Sequence, residues 1–165
     1  MKPALIDASI DMMICYYVGI KMGSIVPVEA VNEIAERITT FSDWETDFEL
    51  SQMLLYCGDN VGADKYGTRL IEQYIKKHRT NFRLTDQDAQ NHGKLFFRKI
   101  LEDYLALSMQ DQDPSKLMSL AEELEELFDF PEWVGDLWSR CDRVGTTESE
   151  LRGVVAVVTG ILNDL

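Results

Sequence analysis

Histidine and cysteine, from which most metal sites and many catalytic sites are built, are scarce in this sequence. Its 165 residues include two histidines and three cysteines. Cys15, Cys57 and Cys141 are too widely spaced for a zinc motif or a disulfide framework. Neither histidine follows a glutamate by three residues, so the di-iron pattern of helical bundles is absent. The sequence predicts no metal, no cofactor, and three free, buried thiols.

The motifs of nucleophilic catalysis and phosphate binding are missing as well. No serine lies in a Gly-x-Ser-x-Gly elbow, and the turn at residues 58–62 lacks the Lys-Ser/Thr ending of a phosphate-binding loop. Asp88 and His92 are four residues apart on a predicted helix, a spacing that suits a shared metal but also an ordinary solvated face. We therefore expect no catalytic residues. An enzyme or small-ligand-binding protein with a pocket between helices remains the alternative.

Long hydrophobic runs are also lacking. The apolar run from Met12 to Ile20 covers nine residues, too few to cross a bilayer. Asp7 and Asp11 precede this run, whereas a signal peptide would have a basic segment there. We expect a cytoplasmic protein with no membrane segment.

Basic residues are few in both flanks of the chain but concentrated in its middle. The formal net charge is −13. Residues 1–63 contain 10 acidic and 3 basic residues. Residues 64–99 contain 4 acidic and 9 basic residues, and residues 100–165 contain 15 acidic and 4 basic residues. We call residues 64–99 the basic segment. A charge distribution this uneven steers the approach of charged partners.

Apolar residues recur at the spacing of amphipathic helices along nearly the whole chain, and hairpin signals are absent. Gly58 is a natural helix end, Asp113 followed by Pro114 opens another helix, and Pro131 forces a break. We predict one all-α domain over residues 1–165, a bundle of six to eight helices.

Two of the helices carry more detailed predictions. Two capping boxes compete for the start of the third helix: Ser42 with Glu45, and Thr46 with Glu49. A fifth helix, which Thr85 and Asp88 can cap, is predicted from its apolar residues, which are Leu95, Phe96, Ile100, Leu101, Tyr104, Leu105 and Leu107.

The last segment, residues 151–165, has valines that favour strands but the length and spacing of a helix. Thr147 and Glu150 form a capping box in front of it. Because the segment is apolar nearly all round, we expect a C-terminal helix buried at the centre of the domain. The stripe predicted to be buried is Leu151, Val155, Val158 and Leu162.

The acidic C-terminal part is the strongest candidate for function. Its carboxylates lie within fifteen residues and alternate with aromatic residues. Aromatic anchors surrounded by charge of one sign suit a fast interface with a basic protein. The alternative is that the carboxylates only solvate a helix whose tryptophans lie in the core. The candidate partner-binding residues are Glu122, Glu123, Glu126, Asp129, Glu132, Trp133 and Asp136.

The stretch from Pro114 to Trp133 also carries a resemblance. Its helix runs into an Asp-aromatic-Pro break at residues 129–131 and then into a short helix. This plan resembles the small acidic helical immunity proteins of bacterial toxin systems and related uncharacterised bacterial families. The resemblance implies a class of function, the binding and neutralisation of a toxin, and it assigns no residue. We expect an immunity protein for a nuclease-type toxin.

The basic segment allows two further interpretations. Its cations and interleaved aromatic residues could contact phosphates, but a chain with a net charge of −13 opposes the approach of nucleic acid. We expect these cations to pair within the fold against the acidic helices. Alternatively, the segment could meet an acidic flank of a second copy, which would make the protein a self-associating structural module.

Overall fold

The computed structural model describes residues 3–41, 47–108, 110–129, 131–141 and 148–165, with side chains at 9–38, 47–108, 110–129, 131–135, 137 and 152–165. Eight helices of eight residues or more lie in these ranges, and the ranges contain no strand. The predicted all-α class and helix number are confirmed. Contacts between residues of the chain divide it into two compact units, Met1–His92 and Gly93–Leu165. The single domain over residues 1–165 stays a prediction.

The first unit contains five helices and the first turn of a sixth. Its helices are α1 (Pro3–Lys21), α2 (Pro27–Phe41), α3 (Phe48–Leu55), the single turn α4 (Asn60–Gly62) and α5 (Thr68–His78). A π-helical turn, Ala63–Gly67, joins α4 to α5. The next helix, α6 (Gln87–Ala106), begins in this unit and continues into the second.

The core of the first unit lies between α1 and α5, with α3 also packed on α5 and α2 packed on α3 and on the π-helical turn. Helical spacing produces this core, because residues three and four apart in sequence share one face. On α1, the residues Ile10, Met13 and Tyr17 follow this spacing, and all three are buried. Further core side chains are Ile14, Ile34, Met53, Ile71, Tyr74 and Ile75.

The predicted start of α3 and the predicted turn after it are corrected. The N-cap of α3 is Asp47, whose carboxylate accepts a hydrogen bond from the Leu50 N–H at 3.2 Å, whereas the predicted caps Ser42 and Thr46 lie outside the described residues. Aspartate caps as well as serine or threonine, so several candidates within a few residues cannot be separated by spacing alone. The turn predicted at residues 58–62 is shorter than expected. It ends at Asp59, because the single helical turn α4 begins at Asn60. Gly58 has a φ of +77°, which explains the predicted helix end.

The second unit consists of the rest of α6 with α7 (Pro114–Phe128), α8 (Glu132–Cys141) and α9 (Glu148–Asp164). α7 packs on α8, and α8 packs on α9. The buried Gln112 donates hydrogen bonds from Nε2 to the carbonyls of Leu107, at 3.2 Å, and Tyr104, at 3.4 Å. The Leu107 carbonyl lies just beyond the end of α6, and the Tyr104 carbonyl also accepts a hydrogen bond from the Leu107 N–H, so Gln112 closes the last turn of α6.

Only some of the apolar residues of α6 are buried. Leu95 and Leu107 are 64% and 46% exposed, whereas Phe97 is fully buried. Leu101 and Tyr104 are also buried. A helix with apolar residues on more than one face does not specify which face is covered, because tertiary packing selects it. α6 begins at Gln87, later than a cap at Thr85 would place it.

The C-terminal segment is confirmed as a helix, and it is buried along one side. Val154, Val158 and Ile161 are buried, whereas Ala156 and Thr159 are exposed. The predicted position at the centre, covered all round, is therefore corrected to a one-sided burial. In the predicted stripe, Val158 is buried, and Val155 and Leu162 are half-buried. The side chain of Leu151 lies outside the described ones, and the predicted cap Thr147 lies outside the described residues.

The cysteines differ from the prediction in burial. Cys15 and Cys57 are free, but Cys15 is half-buried and Cys57 is exposed in the turn after α3. The side chain of Cys141 lies outside the described ones. In the described ranges, no helix combines the length and the apolar character needed to cross a membrane.

Replacing Val158 by aspartate tests the one-sided burial of α9. We expect Val158→Asp to lower the free energy of unfolding by several kcal/mol, since a carboxylate would enter a fully buried apolar position. Ala156→Asp is the matched control, because it adds the same charge to the exposed side of the same helix and should change stability by less than about 0.5 kcal/mol. Urea unfolding followed by circular dichroism compares the two. Equal stability of the two variants would contradict the burial pattern.

Candidate protein-binding surface

The helix α7 sorts its residues into a buried stripe and an acidic face. Asp113 caps it by accepting a hydrogen bond from the Ser115 N–H at 3.0 Å, and Pro114 occupies the first turn, as predicted. The buried stripe is Leu117, Ala121, Leu124 and Phe128. Because this stripe faces the core, the intervening residues Glu122, Glu123 and Glu126 are exposed on the opposite side.

The corner between α7 and α8 continues the acidic face. Asp129 ends α7 in the left-handed conformation, with a φ of 57°, and its N–H donates to the carbonyl of Glu125. Pro131 is buried, and Glu132 begins α8 with its side chain exposed. We call Glu122, Glu123, Glu126, Asp129 and Glu132 the acidic surface. The side chain of the remaining predicted carboxylate, Asp136, lies outside the described ones.

The acidic surface is unfavourable for the helix that carries most of it. Glu122 and Glu126 are one turn apart, and such like-charged pairs destabilise a helix by about 0.2–0.5 kcal/mol. Carboxylates near the C-terminal end of a helix also oppose its dipole, and the last turn of α7 contains no basic residue to compensate. The local energetics of α7 therefore do not explain why these residues are acidic.

The cations of the basic segment, in contrast, are largely paired with nearby carboxylates. Lys77 bridges Asp47 and Glu49 on α3 at 2.9 and 2.8 Å, and these hydrogen bonds raise the pKa of the Lys77 ammonium. Four other cations of the segment also form ion pairs: Lys76 with Glu72, Arg79 with Asp88, Arg98 with Glu102 and Lys99 with Asp103. Pairing within the fold is thus as predicted. Lys77 pairs with carboxylates of α3, and three of the other pairs join residues four apart on one helix.

The carboxylates of the acidic surface have no such compensation. Within the described side chains, none of Glu122, Glu123, Glu126, Asp129 and Glu132 belongs to an ion pair. Their negative charge is therefore directed to the solvent, where it can attract cations over about a Debye length.

Trp133 belongs partly to the core and partly to the surface. Its ring lies 5.1 Å from the ring of Phe97 and 5.4 Å from that of Phe128, and it is half-buried. A cleft of about 230 Å³ lies beside it. The lining residues of the cleft are Lys94, Glu132, Trp133, Ile161, Asp164 and Leu165. Trp133 therefore packs against the core aromatics and also forms one wall of this cleft next to the acidic surface.

The sequence did not predict the cleft, because its members come from separate helices. Ile161 and Asp164 belong to α9 and Lys94 to α6, so no local motif connects them to Trp133. Asp88 and His92, whose spacing suited a metal, have different partners: Asp88 pairs with Arg79 and His92 contacts Asp11. No group of three metal-ligating side chains was found in the described part of the chain.

Comparison of the chain with protein-family models, curated proteins and solved structures finds no match. The resemblance to immunity proteins therefore stays a prediction, and the function is argued from the geometry of the acidic surface.

Gly93 provides a test of how Trp133 is held. A Cβ atom on Gly93 would lie 2.9 Å from Cζ of Phe128 and 3.2 Å from Cζ2 of Trp133, so both rings would have to move. Overpacking of this kind costs about 1–3 kcal/mol, which exceeds the gain of about 1 kcal/mol that alanine brings to a helix. We expect Gly93→Ala to lower the free energy of unfolding, as measured by urea titration.

The matched control is Gly135, in the helix α8, where an added Cβ would meet no atom within 4 Å. Gly135→Ala should therefore raise the free energy of unfolding by up to about 1 kcal/mol. If Gly93→Ala proved as stabilising as Gly135→Ala, the two rings would not be confined against Gly93.

Proposed function

We propose that this chain is a non-catalytic binding protein whose acidic surface binds a basic protein partner. The observation that carries the proposal is the contrast in charge compensation. Five cations of the basic segment have ion-pair partners nearby. The exposed carboxylates of the acidic surface have none among the described side chains, although they destabilise the helix that carries them. A binding role explains why unfavourable charges are concentrated there.

The most concrete form of the proposal is an immunity protein that neutralises a nuclease-type toxin. The substrate site of a nuclease is cationic, because it must hold phosphates. Carboxylates on α7 and at the α7–α8 corner would occupy such a site in place of phosphates, and steering by charge would accelerate the encounter. Trp133, which lies beside the acidic surface with part of its ring accessible, would supply an aromatic anchor.

Two alternatives have less support. A small-ligand site would use the cleft beside Trp133, but its volume of about 230 Å³ is below the ~300–1,000 Å³ typical of ligand pockets. Self-association through the basic segment would require cations that are available to another copy. Five of the nine cations of the segment are already paired with carboxylates of this chain, which reduces the charge that it offers to a second copy.

We also propose that the protein is cytoplasmic. The two thiols whose side chains are described, Cys15 and Cys57, are both free. Free thiols are usual in a compartment that keeps cysteine reduced.

Charge reversal on the acidic surface tests the binding role. We expect Glu122→Lys/Glu126→Lys to slow association with the basic partner by about tenfold or more and to leave the fold intact. The matched control is Glu29→Lys/Asp64→Lys, which changes the net charge equally at two exposed positions of the first unit. The partner is captured from the native host at low salt, and the association rates are measured by stopped-flow fluorescence.

The salt dependence of the wild-type association rate shows whether electrostatic steering accelerates the binding of the partner. The Debye length falls from ~10 Å at 0.1 M to ~3 Å at 1 M, so the rate should decrease steeply over that range. Two results would contradict the proposal: an association rate that is independent of salt, or equal slowing by the two double variants.

The immunity role has its own measurement. If the captured partner is a nuclease, an equimolar amount of the wild-type protein should abolish its cleavage of nucleic acid, and the Glu122→Lys/Glu126→Lys variant should inhibit it more weakly. A captured partner that has no nuclease activity would overturn the immunity role and leave the binding role intact.

A further inference from the structure

The cleft beside Trp133 has an apolar interior and a charged rim. Besides the indole ring, its apolar lining residues are Ile161, which is buried, and Leu165, which is half-buried. These two residues lie on one face, because the Leu165 N–H donates to the Ile161 carbonyl at 3.1 Å and so continues the helical turn of α9. The charged lining residues are all exposed: Lys94, Glu132 and Asp164. A suitable occupant therefore has an apolar body and a polar end.

The charged rim has an excess of negative charge that the chain does not compensate. Within the described side chains, neither Glu132 nor Asp164 belongs to an ion pair. Lys94 forms no ion pair in that set either, so two carboxylates stand against one ammonium group. Asp164 is the last residue of α9, where a carboxylate opposes the helix dipole, and the last turn of α9 contains no basic residue. The polar end of the occupant is therefore a cation.

The cleft suits a single side chain of a partner protein. Its volume of about 230 Å³ is below the ~300–1,000 Å³ of small-molecule pockets. Glu132 belongs both to the lining of the cleft and to the acidic surface, so a partner seated on that surface reaches the cleft. At protein interfaces, a few large side chains that fill such pockets contribute most of the binding energy.

We infer that the cleft beside Trp133 receives an arginine side chain of the basic partner. This inference rests on the proposed binding function and names the residue type that the cleft selects. The aliphatic stem of the arginine packs against Ile161 and Leu165, and its guanidinium stacks on the accessible part of the Trp133 ring. Glu132 and Asp164 accept hydrogen bonds from the guanidinium.

Arginine fits this lining better than lysine or an aromatic residue does. A guanidinium carries five N–H donors in one plane, so it can stack on an indole ring and donate to two carboxylates at once. The ammonium group of lysine is a compact and strongly hydrated charge that gains less from the ring. An aromatic side chain would leave both carboxylates without a cationic partner. Lys94 repels any cation in the cleft, and its removal should therefore strengthen binding.

The first test uses the full chain and no partner. Blocked Gly-Arg-Gly, Gly-Lys-Gly and Gly-citrulline-Gly peptides are titrated while NMR follows the indole N–H signal of Trp133. We expect a saturable shift with the arginine peptide and binding about fivefold weaker with the lysine peptide. Citrulline keeps the shape of arginine without its charge, and it should give no saturable shift. Equal binding of the arginine and citrulline peptides, or no saturable shift with arginine, would overturn the inference.

The second test measures how fast the captured partner dissociates from variants of the cleft. Asp164→Asn should accelerate dissociation about tenfold and leave the association rate nearly unchanged, because it removes a contact at short range. It should not weaken the fold, since the carboxylate opposes the dipole of α9. The matched control is Asp64→Asn, the same change at an exposed position of the first unit. Equal dissociation rates of these two variants would contradict an arginine in the cleft.

The sign of the effect at Lys94 distinguishes a cationic occupant from an anionic one. Lys94→Gln should slow dissociation of the partner about threefold, because it removes the repulsion of the arginine. Lys116→Gln is the matched control, since it removes the same charge from an exposed position of α7 that does not line the cleft. It should leave the dissociation rate unchanged. Faster dissociation from Lys94→Gln would show that the cleft holds an anionic group and would overturn the inference.

Failure of the arginine contact can be told apart from failure of the binding role. If Glu122→Lys/Glu126→Lys slows association but Asp164→Asn dissociates like its control, the acidic surface binds the partner and the cleft holds no arginine. If the arginine peptide binds but no basic protein is captured from the host, the binding role is wrong although the cleft selects arginine.

Discussion

The close packing of Phe128 and Trp133 on the bare backbone of Gly93 positions the acidic surface. Phe128 is the last residue of α7 and Trp133 lies in the first turn of α8, so both sides of the corner are fixed at the same place. Any side chain on Gly93 would collide with both rings. Asp129, which has a left-handed backbone conformation, lies between the two aromatic residues in sequence.

This arrangement separates stability from charge in the second unit. The aromatic rings and the buried stripe of α7 supply the packing, and dispersion and hydrophobic burial do not depend on the residues of the opposite face. The opposite face can therefore hold carboxylates that weaken the helix slightly without endangering the fold. Like-charged pairs lower the stability of a helix by only a few tenths of a kcal/mol each, which is small compared with the free energy of unfolding of a domain.

The acidic surface and the contact between His92 and Asp11 depend on different physical properties. The acidic surface acts through the sum of several exposed charges, so no single carboxylate needs an accurate position. The contact depends instead on the 2.9 Å distance between two particular atoms, His92 Nε2 and Asp11 Oδ1. The first kind of property is visible in a sequence, because charge accumulates along the chain. The second is invisible there, because Asp11 and His92 are 81 positions apart.

The sequence by itself determined the features that depend on local interactions. The Asp113–Pro114 start of α7, the end of α3 near Gly58 and the break at Pro131 each follow from backbone preferences of a few adjacent residues. Tertiary structure decided which apolar faces are covered. α6 exposes Leu95 and buries Phe97, and α9 buries Val154 and exposes Ala156, because helical periodicity offers several faces and only the neighbouring helices select one. The same holds for the contact of His92 with Asp11 and for the ion pairs of Lys77 with α3, which required side chains that are distant in sequence to be brought together.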